Sequence, residues 1–205
     1  MKNKIIKDAL ALTLITLVAG VALGGVYEIT KDPIAKQEAQ AKAEAYEQVF
    51  TDAAAFEEVE MDDTLIQTIR DQLDQEGYKA QSIEEVMRAE DQSGEMLGYA
   101  FTVVTSEGYG GDIRFSMGVQ NDGTLNGISI LSIGETAGLG MNADTPAFKD
   151  QFVGKQVEKL QYTKNGATQD DEINAISGAT VTTNAMTNGI NAGLCAFRVM
   201  EGGDQ

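Results

Sequence analysis

The strongest constraint on this sequence is an uncharged segment near its amino terminus. From Ala9 to Tyr27, nineteen consecutive residues carry no charge, and as an α-helix such a segment spans roughly 28 Å at 1.5 Å per residue. The hydrocarbon core of a bilayer is about 30 Å thick. Lys2, Lys4 and Lys7 precede the segment, and lysine-rich flanks of membrane helices remain in the cytoplasm. The sequence therefore predicts a single-pass membrane anchor with a cytoplasmic amino terminus and an extracytoplasmic domain.

A cleaved signal peptide is the alternative interpretation of the same segment. The basic start MKNKIIK and the small residues of AGVALGG are compatible with one. Two features favour the anchor: the uncharged segment is longer than the apolar core of a usual signal peptide, and the chain continues into KQEAQAKAEAYEQVF, which is rich in strong helix formers. We expect a cytoplasmic terminus over residues 1–8, a transmembrane helix over 9–29, and a helical linker with the first part of the outer domain over 30–96.

Composition excludes several kinds of chemistry. The 205 residues carry a formal net charge of −17 and include no histidine and one cysteine, Cys195. A Ser-His-Asp triad, a histidine general base and zinc sites of the usual kinds are therefore excluded. Such an acidic chain also lacks the basic surface that nucleic acids require. Any redox chemistry would have to come from a cofactor, and Cys195 in the final helix is expected to be a packing residue.

Hydrophobic periodicity predicts an α+β fold. Helices are expected over residues 35–56, 63–75 and 181–200, with a shorter one beginning at Pro146. Strands are expected over residues 97–105, 112–119 and 124–133. Asn121-Asp122-Gly123 predicts a hairpin within this antiparallel meander, and Asn165-Gly166 predicts another before a strand that ends at Ile176. The expected architecture is a largely antiparallel sheet packed by helices.

The stretch NAISGATVTT, residues 174–183, places several hydroxyl groups before the last helix. A strand ends near Ile176, Ser177-Gly178 forms a turn, and the helix begins near Thr180. The first backbone N–H groups of a helix have no partner within the helix and favour an anion such as phosphate. Ordinary N-capping by serine or threonine explains the same pattern. On spacing alone, both interpretations stay open.

A second candidate site is the glycine-rich loop GETAGLG, residues 134–140. It follows a predicted strand and precedes a helix, and its glycines allow a ligand to approach the backbone closely. It is not a Walker loop, since no lysine follows, and it lacks the G-x-G-x-x-G pattern of dinucleotide-binding folds. Taken by itself, the loop indicates no particular ligand.

Taken together, these features carry a resemblance to a known family. The amino-terminal membrane helix, the meander ending in GETAGLG, the segment AFKDQFVGK and the SGAT motif before a closing helix resemble the G subunits of Rnf ion-translocating oxidoreductase complexes. Their FMN-binding domain is shared with the C subunits of Na⁺-translocating NADH:quinone reductases. The resemblance extends from Gly98 to Phe197 and includes the anchor. It implies an FMN-binding domain over residues 97–200, followed by a tail over 201–205.

The function that the resemblance implies is electron transfer. Such a protein holds FMN within a membrane complex that transfers electrons between reduced ferredoxin and NAD⁺, coupled to Na⁺ or H⁺ export, and its partners are the other membrane proteins of that complex. One alternative is the C subunit of a Na⁺-translocating NADH:quinone reductase, whose chain tends to be longer. The other is a tethered binding domain without a cofactor, which a colourless native preparation would indicate.

The resemblance also implies specific site residues. In this family the threonine that ends the S/T-G-A-T motif is esterified by the FMN phosphate, through a separate flavin transferase that uses FAD, and here that residue is Thr180. The other residues implied around the flavin are Ser177, Gly178 and Ala179 in the motif and Glu135, Thr136, Leu139 and Gly140 in the loop. Thr182 and Thr183 are candidate phosphate donors or ordinary first-turn residues.

Four further positions bear on this site. Tyr99 and Tyr109 could stack on a flavin, but aromatic residues on strands normally pack in the core, and both are expected there. Ala137 stands where the family loop commonly has proline, and Asn174 stands where the attachment motif usually has aspartate. The flavin is expected at the edge of the sheet, where the two loops converge.

Overall fold

The structure is a computed structural model that describes residues 2–202. Met1 of the predicted cytoplasmic terminus and residues 203–205 of the predicted tail lie outside the described residues. The chain divides into two compact units, residues 1–41 and residues 42–205. The helices are α1 (Lys2–Val49), α2 (Asp63–Glu76), α3 (Pro146–Lys149) and α4 (Thr180–Gly202). The strands are β1 (Ala55–Glu58), β2 (Gln81–Glu90), β3 (Met96–Thr105), β4 (Ile113–Gln120), β5 (Leu125–Ile133), β6 (Gln161–Thr163) and β7 (Glu172–Asn174).

The first unit consists of the greater part of α1. The helix contains an 18-residue window with a mean hydropathy of 2.3, so its length and composition suffice to span a membrane. Its large apolar side chains between Ile5 and Ile29 are all exposed in the structure. A hydrocarbon environment accommodates such an apolar surface. A helix can cross it because its backbone hydrogen bonds are satisfied within the helix. Length and exposure therefore agree with the single membrane span expected from the sequence.

The helix predicted over residues 35–56 is correct only in its first part. α1 ends at Val49, and the following segment forms strand β1. The alanine-rich sequence here favours a helix locally. However, Ala54 donates its backbone N–H to the carbonyl of Glu90 at 2.7 Å, and β1 pairs antiparallel with β2. Sheet pairing therefore outweighs helix propensity in this segment.

A five-stranded antiparallel sheet of order β1-β2-β3-β4-β5 forms the centre of the second unit. The expected α+β fold is confirmed, and the predicted meander corresponds to β3-β4-β5. The sequence did not predict β2, because Glu84 and Glu85 interrupt its alternation of apolar residues. The register of β2 against β3 shifts at this point. The carboxylate of Glu84 forms a salt bridge with the guanidinium of Arg114 in β4, at an N–O distance of 2.6 Å. Because of this bulge, the sequence of β2 lacks the continuous period-two alternation by which a strand is recognised.

The alternation of side chains in β4 separates the two faces of the sheet. Phe115 and Met117 lie on the face that α4 covers. A β-carbon added at Gly189 of α4 would lie 2.9 Å from the Phe115 ring, and one added at Gly193 would lie 2.1 Å from the sulfur of Met117. On the opposite face, the carboxyl-terminal end of α1 packs so closely that a β-carbon at Gly118 would lie 2.9 Å from a carbonyl oxygen of that helix. Small residues therefore allow helices to approach both faces of the strand.

The remaining helices follow the sequence expectations more closely. α2 begins after Asp62, whose Oδ1 accepts the backbone N–H of Leu65 at 2.7 Å, and Gly77 ends it with a φ of 90°. The short helix predicted at Pro146 is α3, and a 3-10 turn over Asp150–Phe152 follows it. α4 confirms the long final helix and begins at Thr180, where its start was expected.

The hairpin predicted at Asn165-Gly166 is wrong. β6 and β7 run parallel to each other, so residues 164–171 cross over between them. Within this crossover, the backbone N–H of Ala167 donates to Oδ1 of Asn174 at 2.7 Å. A side-chain acceptor thus orders a longer connection where the sequence suggested a tight turn.

A buried amide fixes the position of α4 along its axis. Asn191 is 2% exposed. Its Oδ1 accepts the backbone N–H of Leu160 at 2.7 Å, and its Nδ2 donates to the carbonyl of the same residue at 2.9 Å. Both backbone groups of Leu160 are thereby satisfied away from water. The register of α4 also determines where its first turn lies.

Replacing Asn191 by leucine should destabilise the domain strongly. The substitution leaves two buried backbone groups of Leu160 without partners, which costs about 2–5 kcal/mol in the free energy of unfolding. Denaturation of the full-length protein in detergent, followed by near-ultraviolet circular dichroism, measures the change. Asn165→Leu at an exposed position is the control, and equal midpoints for the two variants would contradict the role of Asn191.

Candidate functional site

Three loops of the second unit converge on one open pocket. They are residues 106–112 between β3 and β4, residues 134–139 after β5, and residues 175–179 before α4. The pocket has a volume of about 470 Å³, within the range of about 300–1,000 Å³ that is usual for small-molecule sites. Its lining residues are Tyr109, Glu135, Thr136, Leu139, Gly140, Gly178, Ala179, Thr180, Val181 and Thr182.

The sheet register places the first two loops side by side. Ile113, at the start of β4, is paired with Ile133, at the end of β5. The segment that enters β4 and the segment that leaves β5 therefore emerge at the same end of the sheet. This adjacency follows from antiparallel pairing.

The carboxylate of Glu135 joins these two loops. The side chain is buried, with 8% exposure. Its Oε1 accepts the backbone N–H of Tyr109 at 2.7 Å and that of Gly110 at 3.4 Å. Hydrogen bonds from backbone N–H groups to a carboxylate are charge-assisted and stronger than neutral ones. Glu135 therefore holds the backbone of the first loop against the second.

Two glycines bring the third loop against the second. A β-carbon at Gly140 would lie 2.5 Å from Oε2 of Glu135 and 2.6 Å from Oγ1 of Thr182 in α4. Gly178 has a φ of 76°, in the left-handed region that glycine tolerates, and a β-carbon there would lie 3.1 Å from a methyl group of Leu139. Close packing without side chains at these two positions thus aligns the GETAGLG loop with the first turn of α4.

The first turn of α4 presents its backbone N–H groups at the pocket. The first hydrogen bond of the helix runs from the N–H of Thr183 to the carbonyl of Ala179 at 3.0 Å. The N–H groups of residues 180–182 belong to the first turn, where a helix supplies no acceptor. This turn contains no acidic side chain. A helix end of this kind favours a bound anion.

Thr183 has the structural role that the sequence left open. Its hydroxyl accepts the backbone N–H of Ile176 at 3.0 Å and donates to the carbonyl of Ala179 at 2.9 Å. The side chain is fully buried. The hydroxyl that closes this turn therefore belongs to Thr183, whereas Ser177 is exposed on the turn.

The structure brings most of the implied flavin residues together. Thr180 is half-buried in the pocket wall, at the start of α4. The other implied residues that line the pocket are Gly178, Ala179, Glu135, Thr136, Leu139 and Gly140. Thr182, a candidate phosphate donor, lines it as well and is 1% exposed. Asn174 lies at the end of β7, before the turn.

Sequence reasoning missed two residues of the pocket, Tyr109 and Val181. The expectation that Tyr109 packs in the core is wrong, because its side chain is 77% exposed. It lies in the loop before β4 and not on a strand, and the glycines around it in EGYGG were a signal of this. Tyr99, in contrast, packs near Phe101 and Phe197, with ring centroids 6.1 Å and 6.4 Å away.

A second contact fixes the loop that carries Tyr109. Glu107 accepts hydrogen bonds from Nδ2 of Asn188 at 2.7 Å and from Nδ2 of Asn184 at 3.5 Å. Both asparagines are on α4. The first loop is therefore attached directly to α4 as well as to the loop after β5.

Comparison with known protein families agrees with this geometry. A family model described as the FMN-binding domain matches residues 108–194, a range that contains every residue lining the pocket. A model described as the RnfG N-terminal region matches residues 1–49. The G subunit of the Na⁺-translocating ferredoxin:NAD⁺ oxidoreductase complex of Acetobacterium woodii is 31% identical over 196 residues, covering 95% of this chain and 92% of that protein. The chain belongs to this family of G subunits.

Two further relatives show how much of the chain resembles each of the two kinds of subunit. The G subunit of the proton-translocating ferredoxin:NAD⁺ oxidoreductase complex of Clostridium ljungdahlii is 29% identical over 202 residues, covering 98% of this chain and 96% of that protein. The C subunit of the Na⁺-translocating NADH-quinone reductase of Pasteurella multocida is 41% identical over 80 residues, which cover 35% of this chain and 31% of that protein. Similarity to these G subunits thus extends over 95% and 98% of the chain, whereas similarity to this C subunit is local.

Cys195 has the environment of a packing residue. It is fully buried in α4. Burial raises the pKa of its thiol to about 12, and the nearby carboxylate of Glu76 adds to the shift. Because the thiolate is the reactive form of cysteine, the side chain is unsuited to redox chemistry at neutral pH.

Alkylation should distinguish the folded from the unfolded environment of Cys195. At pH 8, iodoacetamide should leave the thiol unmodified in the folded protein and modify it fully in denaturant, because the pKa of about 12 applies only to the folded state. Intact-mass spectrometry measures both reactions. Rapid modification of the native protein would show that the thiol is accessible and ionised.

Removing the Glu135 carboxylate should release the loop that carries Tyr109. Glu135→Leu leaves the N–H of Tyr109 without its acceptor, so the amides of this loop should exchange about tenfold to a hundredfold faster, given about 1.5–3 kcal/mol for a hydrogen bond to a charged group. Hydrogen-deuterium exchange with mass spectrometry measures this. Glu135→Gln retains an acceptor oxygen and should show a smaller increase; equal exchange in the leucine variant and the wild type would contradict the role of Glu135.

Proposed function

We propose that this protein is the membrane-anchored electron carrier of an ion-translocating ferredoxin:NAD⁺ oxidoreductase complex and that it holds FMN covalently on Thr180. The observation that carries the proposal is the position of Thr180. It is the first residue of α4, it lines the pocket that the three loops form, and it lies within the matched FMN-binding domain. The helix end, the hydroxyl group and the pocket occur together at this one residue.

The helix end suits the phosphate of FMN. Three N–H groups of the first turn and the positive end of the helix dipole favour a negative charge. This matters in a chain with a formal net charge of −17, because acidic surroundings would otherwise repel a phosphodiester. Residues 180–182 would therefore hold the phosphate end of the cofactor.

Thr180 also has the chemistry that the linkage requires. Its hydroxyl oxygen would form an ester bond to the flavin-bound phosphorus of FAD, the phosphoanhydride bond would break, and AMP would leave as the hydroxyl gives up its proton. The residue is half-buried and not enclosed, and Gly178 and Ala179 before it have no bulky side chains. A flavin transferase could therefore reach the hydroxyl from the open side of the pocket.

The remainder of the pocket would hold the flavin ring, which supplies one- or two-electron transfer when bound. The protein contributes a fixed frame. Glu135 joins two loops through its bonds to Tyr109 and Gly110, and the close packing at Gly140 holds the first turn of α4 against them. A frame of this kind keeps a cofactor in one position while its charge changes.

The two residues that differ from the family pattern, Asn174 and Ala137, are compatible with this site. Asn174 accepts the backbone N–H of Ala167 through Oδ1 at 2.7 Å, a bond that an aspartate at this position could also make. Around Ala137, the turn is closed by hydrogen bonds from the N–H groups of Leu139 and Met141 to the carbonyl of Thr136, at 3.1 Å and 3.2 Å. Neither position needs the family's usual residue to form the local structure.

The membrane arrangement follows from the chain and its relatives. The two G subunits above are named as parts of translocating complexes, so the partners of this chain would be the other membrane subunits. Lysines 2, 4 and 7 before the apolar segment favour a cytoplasmic amino terminus. The FMN-binding domain would then lie outside the cytoplasm, together with the transferase that modifies it.

Replacing Thr180 by valine should abolish covalent flavin. Valine keeps the shape of threonine but has no hydroxyl to esterify. When the full-length protein is produced together with a flavin transferase of this family, in-gel flavin fluorescence after denaturation should be lost in Thr180→Val. It should be retained, at equal or reduced level, in Thr180→Ser. Covalent flavin on the valine variant would contradict the assignment of Thr180.

The predicted topology can be tested by labelling cysteines in intact cells. A membrane-impermeant maleimide should label Asn165→Cys, at an exposed position of the domain, without lysis. Lys4→Cys, before the apolar segment, should be labelled only after lysis. Cys195 can stay in place because it is buried. The reverse pattern would contradict the proposed orientation.

A further inference from the structure

The pocket has an apolar rim of which the family resemblance accounts only for Leu139. Among the described residues of the second unit, six large hydrophobic side chains are exposed, and three of them, Tyr109, Leu139 and Val181, line this one pocket. Tyr109 is the most exposed of the six, at 77%. A cluster of exposed apolar groups on an otherwise acidic domain marks a surface that is covered in the working state.

Glu135 links the loop of Tyr109 to the residue that packs against the first turn of α4. Oε1 of Glu135 bonds to the backbone N–H of Tyr109, while Oε2 faces Gly140, which packs against Thr182 in the first turn of α4. The pocket thus combines a helix end suited to phosphate with an exposed aromatic side chain. FMN combines the matching groups, a charged phosphate at one end and a flat aromatic ring system at the other.

We propose that Tyr109 is the stacking partner of the isoalloxazine ring, and that Leu139 and Val181 complete the apolar contact with that ring. The inference rests on the proposed function, because it takes the phosphate position from Thr180. Aromatic rings in contact prefer offset-stacked or edge-to-face arrangements. Tyr109 would therefore position the ring and cover part of its surface from water.

The backbone of Tyr109 is fixed although its side chain is exposed. Its N–H is bonded to the buried carboxylate of Glu135 at 2.7 Å, and two residues earlier Glu107 is bonded to Asn188 of α4 at 2.7 Å. A β-carbon at the adjacent Gly110 would lie 2.2 Å from the carbonyl oxygen of Gly134, so the two loops touch at this point. The structure therefore holds Tyr109 at the pocket, with its ring free to contact a ligand.

Flavin fluorescence reports this contact directly. A tyrosine ring that touches a flavin quenches its fluorescence, because the excited flavin takes an electron from the phenol and then returns it. Phenylalanine can stack but is a much poorer electron donor. The full-length protein, flavinylated by a transferase of this family, is compared with Tyr109→Leu and Tyr109→Phe at equal flavin content, which is determined by absorbance after denaturation.

Both variants should show several-fold higher flavin fluorescence than the folded wild type. Tyr109→Phe should retain the visible circular dichroism of the bound flavin, whereas Tyr109→Leu should lose much of it. Tyr162→Phe, on β6 and outside the residues that line the pocket, is the control and should leave both signals unchanged. Unchanged fluorescence in flavinylated Tyr109→Leu would overturn this inference alone. A wild-type protein that carries no flavin would contradict the proposed function as well.

Discussion

The buried carboxylate of Glu135 is the interaction on which the pocket depends. One of its oxygens accepts the backbone N–H of Tyr109, and the other lies against Gly140, whose missing side chain lets Thr182 of α4 approach. A single side chain thus joins the loop before β4 to the loop after β5, beside the point where the latter meets the first turn of α4. A buried carboxylate is costly unless it is hydrogen-bonded, so this arrangement is stable only when the loop before β4 supplies its amides. Formation of the pocket and satisfaction of the charge are therefore coupled.

The frame around this carboxylate comes from the sheet and α4. Antiparallel pairing of β4 with β5 brings two loops to one end of the sheet. The close approach of α4 at Gly189 and Gly193 and the bonds of Asn191 to Leu160 set the helix against the sheet in one register. The first turn of α4 consequently meets the loops with its N–H groups available. Packing far from Thr180 thus determines where this residue lies.

Much of this arrangement could be predicted from the sequence, because local signals agree with the final fold. The meander, the caps of α2 and the long final helix follow from alternation, capping residues and periodicity. The sequence could not show β1 and β2, since helix-favouring alanines and a bulge at Glu84 conceal them and only sheet pairing defines them. The parallel pairing of β6 with β7 depends on long-range contacts in the same way.

The candidate site was likewise predictable from the sequence only where local motifs define it. Local motifs identified the SGAT turn and the GETAGLG loop, but the contribution of Tyr109 depends on register. Its loop precedes β4, and β4 begins beside the end of β5, so the loop belongs to the site for a topological reason that no short motif expresses. Thr183 shows the reverse case, because its hydroxyl looks like a ligand group in the sequence and closes the turn in the structure.

The central claim is the ester on Thr180, and peptide mapping of the protein purified from its native membranes tests it most directly. Digestion followed by tandem mass spectrometry should identify the peptide that contains residues 174–183 with the added mass of one FMN less one water, localised to Thr180. Under this account the native source would supply its own transferase, so the result would not depend on a foreign host. An unmodified Thr180 in that preparation, or the same added mass on another residue, would contradict the account.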